Sequence, residues 1–208
     1  MVLLNPYSIS NKLFIAIEGI DGSGKTTITR RLTSSLSYIG VKVFQTREPT
    51  DDLPENMIRK DFNNGFALFC LFMSDRFKHA EAISQKISEG YTVISDRFLA
   101  SSFAYQGPLI ENVLGSFENA FEWMKRASGP LKPLPDITFL LDIDPEIAME
   151  RIKNREKSPF EKLEYLAKVR KYYLATSLTN TVVIDALLPL EEKLSIMMQT
   201  VKSLLFMK

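Results

Sequence analysis

Short apolar runs rich in β-branched residues alternate along the chain with longer segments in which apolar residues recur at helical spacing. These runs predict five strands, at residues 13–17, 41–46, 91–95, 137–143 and 181–184; the first is expected to be buried, and the second alternates apolar and polar residues. The longer segments predict helices at residues 24–39, 67–90, 112–127, 145–155, 161–177 and 190–206. Strands that alternate with helices indicate an α/β fold of three layers, in which a five-stranded parallel sheet carries helices on both faces.

Length and composition limit the number of domains and the kinds of partner that we expect for this chain. A chain of 208 residues without a linker suits one domain, which we expect to span residues 1–208. The net charge of +1 gives no support to a nucleic-acid partner, and one Cys and one His are too few for a Cys/His zinc site. Residues 1–11 lack the pattern of a signal peptide, and no apolar run approaches the roughly 20 residues of a membrane span. We therefore expect a cytoplasmic protein without a membrane partner.

A phosphate-binding loop follows the first predicted strand. Residues 19–26 read Gly-Ile-Asp-Gly-Ser-Gly-Lys-Thr, which fits G-x-x-x-x-G-K-[ST] between a strand and a helix. Backbone N–H groups of such a loop, and the N-terminus of the helix after it, bind phosphate oxygens. Lys25 would reach the β- and γ-phosphates of a nucleoside triphosphate, and the Thr26 hydroxyl would bind Mg²⁺. The expected phosphate-binding residues are Gly19, Ile20, Asp21, Gly22, Ser23, Gly24, Lys25, Thr26 and Thr27.

A carboxylate and several arginines stand at positions that suit phosphate chemistry. Asp96 closes the third predicted strand, at the sheet edge where ligands of α/β folds bind, so we expect it to bind Mg²⁺ or substrate. Guanidinium groups bind phosphate oxygens in pairs and neutralise charge during phosphoryl transfer. The arginines at strand ends, on a Phe-rich helix and on one later helical face are Arg47, Arg76, Arg97, Arg151 and Arg155.

Several stretches resemble, in order, the motifs of the thymidylate kinase family. They lie at residues 14–27, at 46–49 (Thr-Arg-Glu-Pro), at 72–76 (Phe-Met-Ser-Asp-Arg), at 96–107 and at 135–151, and the similarity extends from about residue 14 to residue 186. The resemblance implies a P-loop NTPase fold with a short lid at about residues 151–159. It also implies transfer of the γ-phosphate of ATP to dTMP, giving dTDP and ADP, with Mg²⁺.

The resemblance gives each matching residue on the base and sugar side a role. Phe72 would stack on thymine, Arg76 would hydrogen-bond to the base edge, and Ser102 would line the base pocket. Asp21 would contact the sugar 3′-hydroxyl. Tyr105 would fill the space that a ribose 2′-hydroxyl needs, and would thereby favour deoxynucleotides.

On the phosphate side, Arg97 would bind the phosphate of dTMP, and Asp96 would position Mg²⁺ and that phosphate. Arg47 would help to shape the acceptor site. The phosphate loop contains no arginine, so Arg151 and Arg155 of the lid would reach the transferred phosphate instead. The expected catalytic set is Lys25, Asp96, Arg97, Arg151 and Arg155.

Two alternatives to a dTMP kinase stay open. After Pro49 the family commonly has a Gly-Gly-Thr stretch, whereas residues 50–54 here read Thr-Asp-Asp-Leu-Pro, which leaves room for a kinase of another nucleoside monophosphate or deoxynucleoside. An ATP-dependent switch is the other alternative, although the Asn-Lys-x-Asp sequence expected after a strand in a GTPase is absent. The family forms homodimers, for which the helix around residues 62–77 could supply the interface. On that helix we expect Cys70 to be buried and His79 to be partly exposed.

Overall fold

The computed structural model describes residues 12–53, 57–58, 63–153, 162–176 and 180–206. Five strands form one sheet in which all pairs are parallel. They are β1 (Phe14–Glu18), β2 (Val43–Arg47), β3 (Thr92–Asp96), β4 (Ile137–Asp142) and β5 (Thr181–Asp185). Their order across the sheet is β2-β3-β1-β4-β5, so β1 is the central strand. The predicted α/β fold with a five-stranded parallel sheet is confirmed.

Seven helices in the described ranges cover the two faces of the sheet. They are α1 (Lys25–Tyr38), α2 (Gly65–Ser88), α3 (Leu99–Leu114), α4 (Phe117–Ala127), α5 (Pro145–Ile152), α6 (Leu163–Ala175) and α7 (Leu190–Phe206). The spacing in α1 has the predicted effect, since Ile28, Leu32 and Leu36 share one buried face. None of these helices combines the length and the hydropathy that a membrane span needs.

The strand register brings the expected site together at one edge of the sheet. Asp96, the last residue of β3, stands opposite Ile17 of β1 and opposite Arg47 of β2. The backbone N–H of Arg97 then donates to the carbonyl of Ile17, at 2.9 Å, which extends this pairing beyond the strand. The loops that follow β1, β2 and β3 therefore open at the same edge, where ligands of α/β sheets bind.

The helix predicted over residues 112–127 is wrong, because the structure has two helices there and the first begins much earlier. Gly115, at φ 82°, ends α3 in the left-handed conformation. The Ser116 hydroxyl then accepts from the Asn119 N–H and begins α4. Nearly every residue of α3 up to position 110 is buried, so this helix lacks the one-sided apolar pattern by which the others were predicted.

Helix α6 packs closely on α3, with a tyrosine ring against a glycine. The Tyr172 hydroxyl donates to the Glu111 carboxylate at 2.6 Å, and the Tyr165 hydroxyl donates to the Tyr105 carbonyl. A β-carbon at Gly107 would lie 2.2 Å from Cε1 of Tyr172 and 2.5 Å from its Cδ1. The two helices can therefore approach this closely only because position 107 has no side chain.

We expect Gly107→Ala to lower the free energy of unfolding by about 2 kcal/mol, the usual cost of overpacking a core. Chemical denaturation followed by circular dichroism measures this change. Gly129→Ala is the matched control, because a β-carbon there would have its nearest contact at 3.2 Å, with the Arg126 carbonyl. Equal stability of the two variants would contradict the close packing of α6 on α3.

Candidate active site

The loop after β1 has the backbone that a phosphate-binding loop needs. Gly22 and Gly24 have φ values of 86° and 92°, in the left-handed region that side chains disfavour. A β-carbon at Gly22 would also lie 2.5 Å from the carbonyl oxygen of Ala148 in α5. Gly24 directly precedes α1 and is its N-cap residue. The loop thus turns its backbone toward the N-terminus of a helix, an arrangement that binds anions.

Lys25 lies buried across this loop. Its ammonium Nζ donates to the carbonyl of Ile20 at 2.9 Å and stands 3.9 Å from a carboxylate oxygen of Asp21. Burial, and secondarily the positive charge of Arg97, lower the pKa of Lys25 to about 8. An ammonium that burial and a neighbouring cation disfavour gains from an anion bound beside it, as a triphosphate would be.

The Thr26 hydroxyl donates to the Asp96 carboxylate at 2.6 Å. This contact joins the first turn of α1 to the end of β3. A hydroxyl and a carboxylate are both ligands that Mg²⁺ accepts, together with phosphate oxygens and water. No group of three or more His, Cys, Asp or Glu side chains among the described residues could hold a metal ion. The pair supplies two oxygens of the kind that bind Mg²⁺.

Arg97, Asp21 and Tyr105 form a cluster above the loop. The Arg97 guanidinium pairs with the Asp21 carboxylate and lies over the Tyr105 ring, 5.1 Å from its centroid. The Tyr105 hydroxyl donates to the Asp21 carboxylate at 3.1 Å, and burial followed by the charge of Asp21 raises the pKa of Tyr105. Arg97 also donates to the Gly19 carbonyl at 3.3 Å and to the Ser101 hydroxyl at 3.2 Å.

Arg76 lies in a second cluster, fully buried between α2, α3 and the end of β2. It donates from Nε to the Glu48 carboxylate at 2.7 Å, from Nη1 to the Ser102 hydroxyl at 2.9 Å, and from Nη2 to the Phe98 carbonyl at 3.2 Å. Ser102 is buried beside it. Two of the residues predicted for the base pocket therefore touch each other.

Two predictions about α2 were wrong. His79 is buried, with Nδ1 2.9 Å from the Glu48 carboxylate and Nε2 2.7 Å from the Thr46 hydroxyl, whereas Cys70 is exposed. The inward face of α2 carries the polar Arg76 and His79 beside its apolar residues, because an anchor for them, Glu48, lies at the end of β2. Hydropathy alone could not assign polar residues to that face.

The remaining predicted residues lie at the rim. Arg47 is exposed and pairs with Asp51, and Phe72 is half-buried against the core. Arg151 is exposed and donates to the Gly22 carbonyl at 3.4 Å, so it reaches the phosphate loop from α5. Arg155 and the lid beyond residue 153 lie outside the described residues.

Most of the predicted phosphate-binding residues line one open cleft of about 620 Å³. Its walls include Asp21, Gly22, Gly24, Lys25, Thr26, Thr27, Arg47, Asp96, Arg97 and Arg151. Tyr105 adjoins the cleft through its contact with Asp21. Phe72, Arg76 and Ser102 are not part of its wall.

Comparison with known proteins decides which family has this arrangement. A family model described as thymidylate kinase matches residues 17–195. The chain belongs to the thymidylate kinase family. It is 43% identical to a probable thymidylate kinase of Thermoplasma volcanium over 163 residues, which are 77% of this chain and 83% of the relative. It is 39% identical to a probable thymidylate kinase of Archaeoglobus fulgidus over 201 residues, which are 94% of this chain and 98% of that relative.

Membership of the thymidylate kinase family confirms the resemblance seen in the sequence, but the structure adds polar residues that the motifs left without a role. Glu48, within the Thr-Arg-Glu-Pro motif, holds both Arg76 and His79. Gln106 is buried, and its side-chain oxygen has no hydrogen-bond partner in the described part of the chain. Its position one helical turn after Ser102 was the available signal, since residues four apart share a helix face.

Proposed function

We propose that this member of the thymidylate kinase family transfers the γ-phosphate of ATP to dTMP, giving dTDP and ADP for dTTP synthesis. The observation that carries the proposal is the position of Asp21. Its backbone belongs to the phosphate loop, and its side chain binds Arg97, which follows β3, and Tyr105 of α3. One residue thus joins the site for the ATP phosphates to the groups that would receive the acceptor nucleotide.

On the ATP side, the loop backbone and Lys25 would bind the β- and γ-phosphates, and Arg151 would approach them from α5. Arg155 would act with it from the lid. Thr26 and Asp96 would hold Mg²⁺ together with phosphate oxygens, and the ion would neutralise phosphate charge. The contact between the Thr26 hydroxyl and the Asp96 carboxylate supports this assignment, because the two ligand oxygens already lie 2.6 Å apart.

On the acceptor side, Arg97 would bind the phosphate of dTMP. Arg97, Lys25 and Asp96 all line the cleft. When the phosphate of dTMP binds the Arg97 guanidinium, the Asp21 carboxylate would accept a hydrogen bond from the sugar 3′-hydroxyl. Arg47 would help to shape the entrance. Phosphoryl transfer depends on alignment and on charge neutralisation, and these residues supply both.

The base would lie beside Arg76, with Phe72 stacked on its face and Ser102 in the wall. A guanidinium has five N–H groups, and four of those of Arg76 bond to described residues, which leaves one on Nη2 for a carbonyl of thymine. The buried oxygen of Gln106 would accept from the N3–H of the base. The two groups together complement a thymine edge, in which an N–H stands between carbonyls.

An acceptor panel tests the proposal. We expect ATP and Mg²⁺ to support ADP formation most strongly with dTMP, compared with dUMP, UMP, CMP, AMP, GMP and thymidine. Fastest turnover with another acceptor would favour the alternative of a different nucleoside monophosphate or deoxynucleoside kinase. ATP binding without any acceptor-dependent turnover would favour an ATP-dependent switch and would contradict the proposal.

Tyr105→Ala should weaken the discrimination between dUMP and UMP by about tenfold, because it opens the space that a ribose 2′-hydroxyl needs. The ratio of kcat/KM values for the two acceptors measures this. Tyr105→Phe is the matched control, since it keeps the ring and removes only the hydroxyl that donates to Asp21. A ratio of wild-type size in Tyr105→Ala would contradict the role of the ring.

We further propose that residues 1–208 act as one domain in a cytoplasmic homodimer, without a nucleic-acid or membrane partner. Phe66 and Phe69 of α2 pack against Trp123 within the chain, so the interface would use the side of α2 that exposes Phe77 and Cys70. Sedimentation at micromolar concentration should give the mass of a dimer. A monomer there would contradict the homodimer.

A further inference from the structure

Glu18, the last residue of the central strand β1, is a completely buried acid that the proposed chemistry does not use. One carboxylate oxygen accepts from the backbone N–H groups of Phe98, at 2.8 Å, and Ser101, at 3.2 Å. The other accepts from the Ser101 hydroxyl, at 2.6 Å, and the Tyr173 hydroxyl, at 3.0 Å. Four donors thus surround a carboxylate that is fully buried.

These bonds cap the N-terminus of helix α3 with a side chain from another element, strand β1. Its N-cap residue, Phe98, makes no side-chain capping bond, and the carboxylate of Glu18 takes the place that a capping side chain would occupy. A negative charge at a helix N-terminus is favourable because the helix dipole is positive there. Glu18 therefore fixes where α3 begins, directly after Arg97.

The same carboxylate is linked to the side chain of Arg97 through Ser101. Ser101 donates to Glu18 and accepts from Nη1 of Arg97 at 3.2 Å, and Nη1 also lies 3.5 Å from the Tyr173 hydroxyl. Arg97 itself has a φ of 75°, an uncommon backbone conformation that its surroundings must maintain. Glu18 therefore supports, through Ser101, the guanidinium that would bind the acceptor phosphate.

The groups around Glu18 also favour an ionised carboxylate at this position. Burial raises the pKa of Glu18, whereas the hydrogen bonds from the Ser101 hydroxyl, the Phe98 N–H and the Tyr173 hydroxyl act against that rise, as does the positive charge of Arg97. The four contacts are all donations to Glu18, which is the pattern of an ionised carboxylate. Arg97 and Lys25 are the charged groups that interact with Glu18, and Tyr173 is the titratable group from α6.

We propose that Glu18 is a positioning residue that orients Arg97 toward the phosphate of the acceptor nucleotide. It acts through Ser101 and through the start of α3, and it does not touch the nucleotide. Tyr173 ties the same network to α6. The inference rests on the proposed function, in which Arg97 binds the phosphate of dTMP.

The test compares the binding of dTMP with the binding of thymidine by calorimetry. Glu18→Gln keeps the shape and removes the charge, and the hydroxyls of Ser101 and Tyr173 can rotate to accept from the new amide. We expect the affinity for dTMP to fall about tenfold, as for a weakened charge-assisted hydrogen bond to phosphate. The affinity for thymidine, which has no phosphate, should stay at the wild-type value. KM for dTMP should rise in parallel, whereas KM for ATP should not.

Ser128→Ala is the matched control for lost stability. Ser128 is also buried, and its hydroxyl donates to the Met124 carbonyl at 2.8 Å, at the C-terminal end of α4. We expect this variant to keep the wild-type ratio of dTMP to thymidine affinity, even where its thermal stability falls. Tyr173→Phe removes one donor from Glu18 and should lower dTMP affinity about threefold, which keeps the inference testable where Glu18→Gln does not fold.

Equal loss of dTMP and thymidine affinity in Glu18→Gln would overturn the inference, because it would mean a general disturbance of the pocket. An unchanged affinity for both would also overturn it. Failure of the proposed function is distinguishable, since the wild-type protein would then not bind dTMP more tightly than other nucleoside monophosphates.

Discussion

Arg97→Ala is expected to lower kcat/KM for dTMP about a thousandfold, the order of effect of an arginine that neutralises phosphate charge. The guanidinium lies between the phosphate loop and α3, and it is held there by Asp21, Tyr105 and Ser101. No other described arginine has this combination of contacts. Steady-state kinetics with dTMP and ATP measure the effect.

The fold should survive this substitution. Asp21 keeps the Tyr105 hydroxyl and the Lys25 ammonium as partners, so no isolated buried charge is left behind. Arg31→Ala is the control, because Arg31 pairs with Glu191 between α1 and α7, outside the cleft, and its loss should leave kcat/KM unchanged. Turnover of Arg97→Ala within a few-fold of wild type would contradict the assignment of the acceptor phosphate.

Lys25→Met is expected to lower kcat by about three orders of magnitude while leaving the thermal stability at least as high as that of wild type. The Lys25 ammonium donates to the Ile20 carbonyl within the phosphate loop. Its loss would therefore remove a positive charge that neutralises the triphosphate. Burial lowers its pKa, which means that the folded protein holds this proton less tightly than the unfolded chain does. At pH 7 the charged side chain therefore opposes folding, and methionine of similar length removes that cost.

Differential scanning calorimetry and the ADP assay measure the two quantities on the same preparation. Lys86→Met is the control, since Lys86 pairs with Glu89 on the surface of α2 and its replacement should change neither quantity. A fall in thermal stability that accounts for the lost activity of Lys25→Met would contradict the role given to the ammonium.

The sheet and the phosphate loop could be predicted because their signals are local. A strand that is buried on both faces shows in the sequence as a continuous apolar run. The phosphate loop shows as glycines, a lysine and a threonine at fixed spacing in residues 19–26, between a predicted strand and a predicted helix. Helix α7 shows the same point, because its apolar residues recur on one face, and its predicted limits, residues 190–206, agree with the structure.

What could not be predicted depends on contacts between distant segments. The inward position of His79 follows from Glu48, 31 residues earlier, and the start of α3 is fixed by Glu18, 80 residues before Phe98. Neither partner can be chosen from spacing or hydropathy, because a buried acid and its donors come together only in the folded chain. The sequence likewise could not show that the buried Gln106 side-chain oxygen has no hydrogen-bond partner among the described residues, because this depends on the folded surroundings of α3.

The most direct test of the central claim follows the phosphoryl group itself. The protein is incubated with Mg²⁺, dTMP and ATP that carries a radioactive γ-phosphate, and the nucleotides are separated. Transfer to dTMP predicts that the label appears in dTDP, in step with the ADP formed, and that Lys25→Met and Arg97→Ala each slow its appearance about a thousandfold. Label released only as inorganic phosphate, or label in another nucleotide when dTMP is present, would contradict the account.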